Sequence, residues 1–101
     1  MYGTVARMQL KPGAAPLFEA WFEGIVNAIK PQGMVSTTIF RSDDDPNVCW
    51  LSVIFETKEA YQANADSPNQ NDRYIRLRSC LETDPEWHDG EVWATAGLDK
   101  S

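Results

Sequence analysis

The chain has 101 residues and a formal net charge of −6. Its acidity argues against nucleic acid or a membrane surface as a partner, because phosphate binding needs clustered Lys and Arg. The length predicts a single domain over residues 1–101 with a modest core. No apolar run approaches the ~20 residues that span a bilayer, and the N-terminus lacks the pattern of a signal peptide, so we expect a cytoplasmic protein.

The first 33 residues predict a strand followed by a helix. Residues 2–10 alternate imperfectly between apolar and polar side chains, which indicates a strand that ends at Lys11-Pro12-Gly13. The helix begins near Pro16, and Pro31 and Gly33 stop it. Its apolar side chains recur every three or four residues, at Leu17, Phe18, Trp21, Phe22, Ile25, Val26 and Ile29.

The next two predicted strands are joined by a polar turn, and the second of them has no polar face. Residues 34–41 are rich in β-branched types, residues 42–47 form the turn, and residues 48–55 form the third strand. Alternate side chains of a strand point to opposite faces. One face would carry Val48, Trp50 and Ile54, and the other Cys49, Leu51, Val53 and Phe55. A strand that is apolar on both faces must be covered on both.

Two consecutive helices follow the third strand. Thr57 is predicted to cap the first, which ends near Asp66. Ser67 and Pro68 start the second, because Ser accepts backbone hydrogen bonds and Pro suits the first helical position. Asp84-Pro85 is predicted to end that helix.

The two cysteines are predicted to be reduced residues of the core. Cys49 lies in the apolar third strand and Cys80 late in a helix, where small apolar side chains are expected. No CxxC or HExxH spacing is present, so the sequence predicts no metal site.

The order of elements predicts an α+β fold of the ferredoxin-like type. His88-Asp89-Gly90 is predicted to be a turn, with a last strand over residues 91–96. The resulting order, β-α-β-β-α-β with the second helix broken, gives a four-stranded antiparallel sheet with helices on one face. The bare face would be apolar, and a homodimer formed through this open face would cover it. A monomer that docks another protein there is the alternative.

The chain resembles the dimeric α-β barrel proteins, and especially the antibiotic biosynthesis monooxygenases, over residues 2–97. The resemblance is carried by Leu10-Lys11-Pro12-Gly13, by residues 55–61 (FETKEAY) and by residues 84–90 (DPEWHDG). These motifs are caps and turns, so they point to the fold rather than to one reaction. The fold hosts cofactor-free oxygenases of phenols, quinol oxygenases, haem-degrading enzymes and members without a known activity.

The resemblance argues against haem degradation and implies no cofactor. Haem-degrading members have an Asn on the first strand, a Trp on the short second helix and a haem-ligating His on the third helix. Alignment at the strand-helix junctions places Arg7, Asn64 and Arg76 at those three positions. Arg is not an ordinary axial ligand of haem.

Three residues are candidates for catalysis. His88 is the only histidine, and its ordinary pKa lies near neutrality, so it is a candidate general base or an exposed turn residue. By the family alignment Arg7 points between sheet and helices, where it would bind a ligand or pair with an acid. Tyr74 shares a helix face with Leu77 and Leu81 and is predicted to point inward, whereas Arg76 lies about 200° away around the helix.

Four residues are candidates for substrate binding. They are Trp21, Asn64, Arg76 and Trp93. The two Trp side chains would form aromatic walls for a flat apolar ligand, or would simply pack in the core. Asn64 is also explained by local hydrogen bonding at a helix end.

Two functional hypotheses follow. The first is a small cofactor-free monooxygenase that acts on a phenol, quinol or polyketide-like aromatic, with the substrate supplying electrons to O2. The second is a non-catalytic dimeric barrel protein that binds a small ligand or has a structural role.

Overall fold

The computed structural model describes residues 1–27 and 32–96, with side chains for all of these except residues 25–27. Its elements are β1 (Tyr2–Gln9), α1 (Ala15–Asn27), β2 (Met34–Arg41), β3 (Val48–Phe55), α2 (Lys58–Ala65), α3 (Pro68–Ser79) and β4 (Glu86–Glu91). The strands form one antiparallel sheet in the order β2-β3-β1-β4. The predicted ferredoxin-like fold is confirmed. The predicted apolar side chains Ile25, Val26 and Ile29 and the predicted helix end at Pro31 lie outside the described part.

The break between α2 and α3 follows from two capping residues. The Thr57 hydroxyl accepts a hydrogen bond from the Ala60 N–H at 3.0 Å, which begins α2. The Ser67 hydroxyl accepts one from the Gln70 N–H at 3.1 Å, and Pro68 occupies the first turn of α3. Because Pro disfavours helical backbone in the residue before it, Ser67 stays extended and the two helices separate. Both predicted caps are confirmed.

The strand register sorts the side chains of the sheet into two faces. Ala6 pairs with Leu51 and Met8 with Cys49, so these four side chains share the face that the helices cover. The buried core lies there, and its members include Ala6, Met8, Leu10, Phe18, Leu51, Leu77 and Leu81. Both cysteines are buried, free thiols. Burial raises the pKa of the Cys49 thiol, and the positive charge of Arg41 opposes that rise only in part.

The opposite face of the sheet, which we call the open face, exposes large apolar side chains. Val5, Phe40, Trp50 and Ile54 lie on it, because they alternate with the core positions of their strands. Phe40 is 60% exposed and Trp50 41% exposed, so no described helix covers them. The predicted division of β3 into two apolar faces therefore agrees with the register.

The prediction for the end of the chain is wrong. His88-Asp89-Gly90 lies inside β4 rather than in a turn, and only Glu91 of the predicted strand over residues 91–96 belongs to a strand. All six residues of β4 are exposed, and β4 is an edge strand. The sequence did not indicate a strand here because its polar side chains leave no apolar alternation. Helix α3 also ends earlier than predicted, at Ser79 rather than at Asp84-Pro85.

The chain after α3 is held against the end of β1 by backbone hydrogen bonds. The Lys11 N–H donates to the Cys80 carbonyl at 2.9 Å, and the Glu82 N–H donates to the Gln9 carbonyl at 2.8 Å. These bonds guide the chain to the free edge of β1, where β4 pairs.

Gly33 lets α2 approach the sheet closely. Its φ of +83° favours glycine, and its carbonyl accepts a hydrogen bond from the Glu56 N–H at 2.8 Å. A Cβ on Gly33 would lie 2.7 Å from the Cβ of Ala60 in α2. Within the described residues, no helix combines the length and the apolar character that crossing a membrane requires.

Candidate active site

A cavity of about 470 Å³ lies between the helix-covered face of the sheet and the helices. Residues of all four strands and all three helices contribute to its lining. Five aromatic side chains contribute to its walls: Trp21, Phe55, Tyr61, Tyr74 and Trp87. A cavity of this size with apolar walls and a few polar groups is typical of small-molecule sites. Among the described residues, no group of three or more His, Cys, Asp or Glu side chains is placed to hold a metal ion.

Three of the predicted site residues line this cavity: Trp21, Asn64 and Tyr74. The Trp21 indole N–H donates to the Arg73 carbonyl at 3.0 Å, and its ring stacks on Phe18 with centroids 5.5 Å apart. These contacts fix the indole between α1 and α3. The Asn64 amide donates to Gln70 Oε1 at 3.4 Å, so the two amides face each other where α2 gives way to α3.

Arg7 and His88 lie on the open face, away from the cavity. Arg7 Nη1 is 4.0 Å from Glu86 Oε2, and its Cζ lies 5.9 Å from the centre of the Trp50 ring. The expectation that Arg7 points between sheet and helices is therefore wrong, and the alternative of a pair with a neighbouring acid describes its surroundings. His88 pairs with Val5, whose side chain is on the open face.

Arg76 and Trp93 are also outside the cavity. Arg76 is exposed on α3 and borders a groove toward α1, on the side of the helix away from Tyr74. Trp93 is 99% exposed beyond the end of β4, so its predicted role as a core or cavity wall is wrong. The apolar residues after Gly90 suggested a strand, but the sheet pairing ends at Glu91.

A hydrogen bond between Tyr61 and Asp89 joins α2 to β4 at one end of the cavity. The Tyr61 hydroxyl donates to Asp89 Oδ1 at 2.9 Å. The Tyr61 ring packs against Tyr2 and Phe55, with centroid separations of 5.2 and 5.7 Å. Burial, and secondarily the hydrogen bond to Asp89 and its negative charge, raise the pKa of Tyr61 to about 12. The phenol therefore stays protonated and keeps donating to Asp89.

Thr4 adds a third polar group at the same end. Its side chain is buried in the cavity lining, and its Oγ1 is the one buried side-chain polar atom of the described residues that has no hydrogen-bond partner. Thr4 lies close enough to Tyr61 for its hydroxyl to oppose part of the rise in the pKa of that phenol, but the contact between the two hydroxyls does not meet hydrogen-bond geometry. A buried hydroxyl without a partner is costly and is usually satisfied by a ligand or water.

Comparison with known proteins identifies the family to which the chain belongs. The sequence model described as antibiotic biosynthesis monooxygenase matches residues 1–72 of the chain. The chain belongs to this family. A search of curated protein sequences finds no match.

Solved structures of this family and others share the fold. SnoaB from Streptomyces nogalater, described as a cofactor-independent oxygenase, superposes with a TM-score of 0.79 at 19% identity, over 93% of this chain and 94% of its own. A Chloroflexus aurantiacus protein named as a candidate antibiotic biosynthesis monooxygenase gives 0.78 at 19% identity, over 97% and 98%. A conserved protein from Methanosarcina mazei gives 0.78 at 16% identity, over 88% and 89%. At these identities the likeness shows the fold alone.

Sequence reasoning missed several cavity residues of this monooxygenase-family chain, and two signals would have found them. Tyr61 precedes Asn64 by three residues, so the two share a helix face, and Asn64 was already a candidate. With β4 in its observed register, Asp89 pairs with Thr4 on the helix-covered face. Trp87 lies two residues before Asp89 and therefore on the same face. The incorrect turn at residues 88–90 hid both side chains.

An alkaline titration tests the Tyr61–Asp89 pair in this family member. Tyr61 is expected to ionise near pH 12, and Asp89→Asn is expected to move that ionisation toward the ordinary value near 10. Because folding raises the pKa of this acid, the neutral phenol favours the folded state below pH 10, and that contribution is lost as the pH rises toward 12. Ultraviolet absorbance of tyrosinate, with circular dichroism to monitor folding, provides the measurement. Ionisation of Tyr61 near pH 10 in the folded protein would contradict the pairing.

Proposed function

We propose that the chain is a small cofactor-free monooxygenase that oxidises a phenol, a quinol or a polyketide-like aromatic in the cavity. Family membership supports the reaction class. The observation that carries the proposal is the space of about 470 Å³, lined by five aromatic side chains and by several polar groups that include Thr4, Tyr61 and Asp89. Aromatic walls favour flat, apolar ring systems through stacking and edge contacts. The polar groups provide hydrogen-bond partners for a ring hydroxyl.

The proposed reaction needs only substrate and O2. A phenol gives up its hydroxyl proton and the hydrogen of one ring carbon, and that carbon gains one oxygen atom, so a quinone forms. The second oxygen atom leaves as water with the two hydrogens, and the electrons that reduce it come from the ring. The protein contributes orientation and exclusion of bulk water from the ring while it reacts.

The predicted site residues divide by position in this proposal. Trp21 and Tyr74 act as walls, and the Asn64 amide orients a polar substituent near α3. Arg7, beside Trp50, and His88, beside Val5, act at the open face and so affect the cavity only through subunit association.

The active form is proposed to be a cytoplasmic homodimer of a single-domain chain, joined through the open face. Val5, Phe40 and Trp50 are exposed apolar side chains on neighbouring strands of that face. Isologous pairing of two such faces would bury these side chains without a second kind of partner.

A non-catalytic ligand-binding protein is the second candidate, and the position of His88 favours it. The chain has one histidine, and it lies on the face opposite the cavity. The cavity therefore has no side chain whose ordinary pKa is near neutrality.

Oxygen consumption in the presence of phenols and hydroquinones tests the monooxygenase proposal. Ala63 and Ala65 are both exposed on α2, but only Ala65 lines the cavity. We expect turnover with at least one compound, a loss of about 100-fold or more in Ala65→Trp because the indole fills the space, and near-normal rates in the control Ala63→Trp. Equal rates in the two variants would place the reaction elsewhere. Ligand binding without oxygen consumption across the panel would support the second candidate.

A further inference from the structure

We propose that Asp89, Tyr61 and Thr4 form a subsite for the hydroxyl group of a neutral phenolic ligand, so that the cavity selects phenols over their ethers. The inference deepens the proposed function and rests on it for any catalytic consequence. It concerns which polar group of the ligand is recognised and by which atoms.

Asp89 lines the cavity, and its carboxylate has an unused acceptor. Its Oδ1 accepts the hydrogen bond from Tyr61, and among the described residues its Oδ2 accepts none. No Lys or Arg in the described part lies within 4.0 Å of it to form an ion pair. A carboxylate oxygen with a free lone pair is a strong acceptor for a ligand O–H.

Thr4 supplies the complementary donor. Its buried hydroxyl has no partner, and Thr4 is the direct sheet neighbour of Asp89. A ligand hydroxyl placed between them donates its hydrogen to Asp89 and accepts the hydrogen of Thr4. This single arrangement satisfies both side chains, which is the expected solution for a buried polar group.

Tyr61 holds the carboxylate rather than contacting the ligand as a donor. Its proton is engaged with Asp89 Oδ1, and its ring is fixed by Tyr2 and Phe55. The raised pKa of Tyr61, about 12, keeps that proton in place at neutral pH. Tyr61 is therefore a positioning residue, and its loss should loosen Asp89 without removing the acceptor.

The charge of the subsite excludes other ligand classes. An unpaired carboxylate repels carboxylates, phosphates and phenolates, so the ligand enters as the neutral phenol. Ethers and ketones accept hydrogen bonds but donate none, so they would leave the second carboxylate oxygen of Asp89, Oδ2, without a donor from the ligand. Trp87 stands two residues from Asp89 on the same face of β4, where it offers a ring surface beside the hydroxyl position.

Paired binding measurements with naphthol and its methyl ether test the subsite. Under anaerobic conditions, calorimetry or fluorescence titration should show that the unaltered protein binds naphthol at least about tenfold more tightly than the ether, as expected for a lost hydrogen bond to a charged group. Asp89→Asn should reduce that preference to about twofold or less. Tyr61→Phe should give an intermediate preference. The control Glu86→Gln removes the same charge from the other face of β4 and should keep the full preference.

Each outcome decides between the proposals. Equal binding of naphthol and ether by the unaltered protein, no binding of either at millimolar concentration, or a full preference in folded Asp89→Asn would overturn the subsite. The selectivity is measured without O2, so intact selectivity with no oxygen consumption would contradict the monooxygenase proposal and leave the subsite proposal standing. If Asp89→Asn left oxygen consumption unchanged, the monooxygenase proposal would stand and the subsite proposal would be contradicted. The thermal unfolding midpoint of each variant separates these results from loss of the fold.

Discussion

Trp50→Lys is expected to convert the proposed dimer into a monomer. Trp50 is exposed on the open face, next to Phe40 in the register and beneath the Arg7 guanidinium. A lysine there would place an unpaired charge in an apolar interface beside the existing charge of Arg7. We expect the dissociation constant to rise by roughly 30-fold or more, since truncated tryptophan anchors commonly cost more than about 2 kcal/mol.

Analytical ultracentrifugation at micromolar concentration measures this effect. The matched control is Ile75→Lys, which places the same charge at an exposed apolar side chain of α3. The control should stay dimeric, because α3 lies on the other side of the sheet. A monomeric unaltered chain, or dissociation of both variants alike, would contradict a dimer formed through the open face and would favour a different partner protein there.

Gly33→Ala is expected to destabilise the fold and to disturb the Tyr61–Asp89 pair. The alanine would need a positive φ, and its Cβ would lie 2.7 Å from Ala60 Cβ, well inside ordinary carbon contact. We expect the free energy of unfolding to fall by about 2–4 kcal/mol, from the left-handed backbone and the displacement of α2 together. Because α2 carries Tyr61, its movement should also lower the pKa of that phenol.

Gly13→Ala separates the two causes. Gly13 has a similar φ of +79°, but nothing lies within 4 Å of the position that its Cβ would take. We expect Gly13→Ala to lower the free energy of unfolding by about 1–2 kcal/mol, from the left-handed backbone alone, and to leave the pKa of Tyr61 unchanged. Urea denaturation of both variants, with the tyrosine titration beside it, measures the difference. Equal losses in the two variants would show that α2 is not held by close contact at Gly33.

The fold was largely predictable because its signals are local. The Thr57 and Ser67 caps, the apolar period of α1 and the strands over residues 34–41 and 48–55 depend on neighbouring residues only, and they define most of the architecture. Strand β4 was not predictable in this way. Half of its residues are acidic and all are exposed, and only its pairing with β1 makes it a strand.

The candidate site was less predictable because it depends on register. Trp21, Asn64 and Tyr74 were found from helix faces, which sequence spacing defines. Arg7 was placed on the wrong face because a shift of one residue reverses every side chain of a strand. Asp89 could not be paired with Tyr61 across 28 positions without knowing that β4 borders β1.

The position of β4 at the edge of the sheet makes the cavity open to redesign. Trp87 and Asp89 lie beyond residue 72, where the family match ends, on a strand bonded to one neighbour only. Their side chains can be exchanged without repacking the buried layer of β1 and β3, because all of β4 is exposed. An engineer who wishes to alter the ligand that this scaffold accepts should therefore vary residues 87 and 89 first and leave the other three strands unchanged.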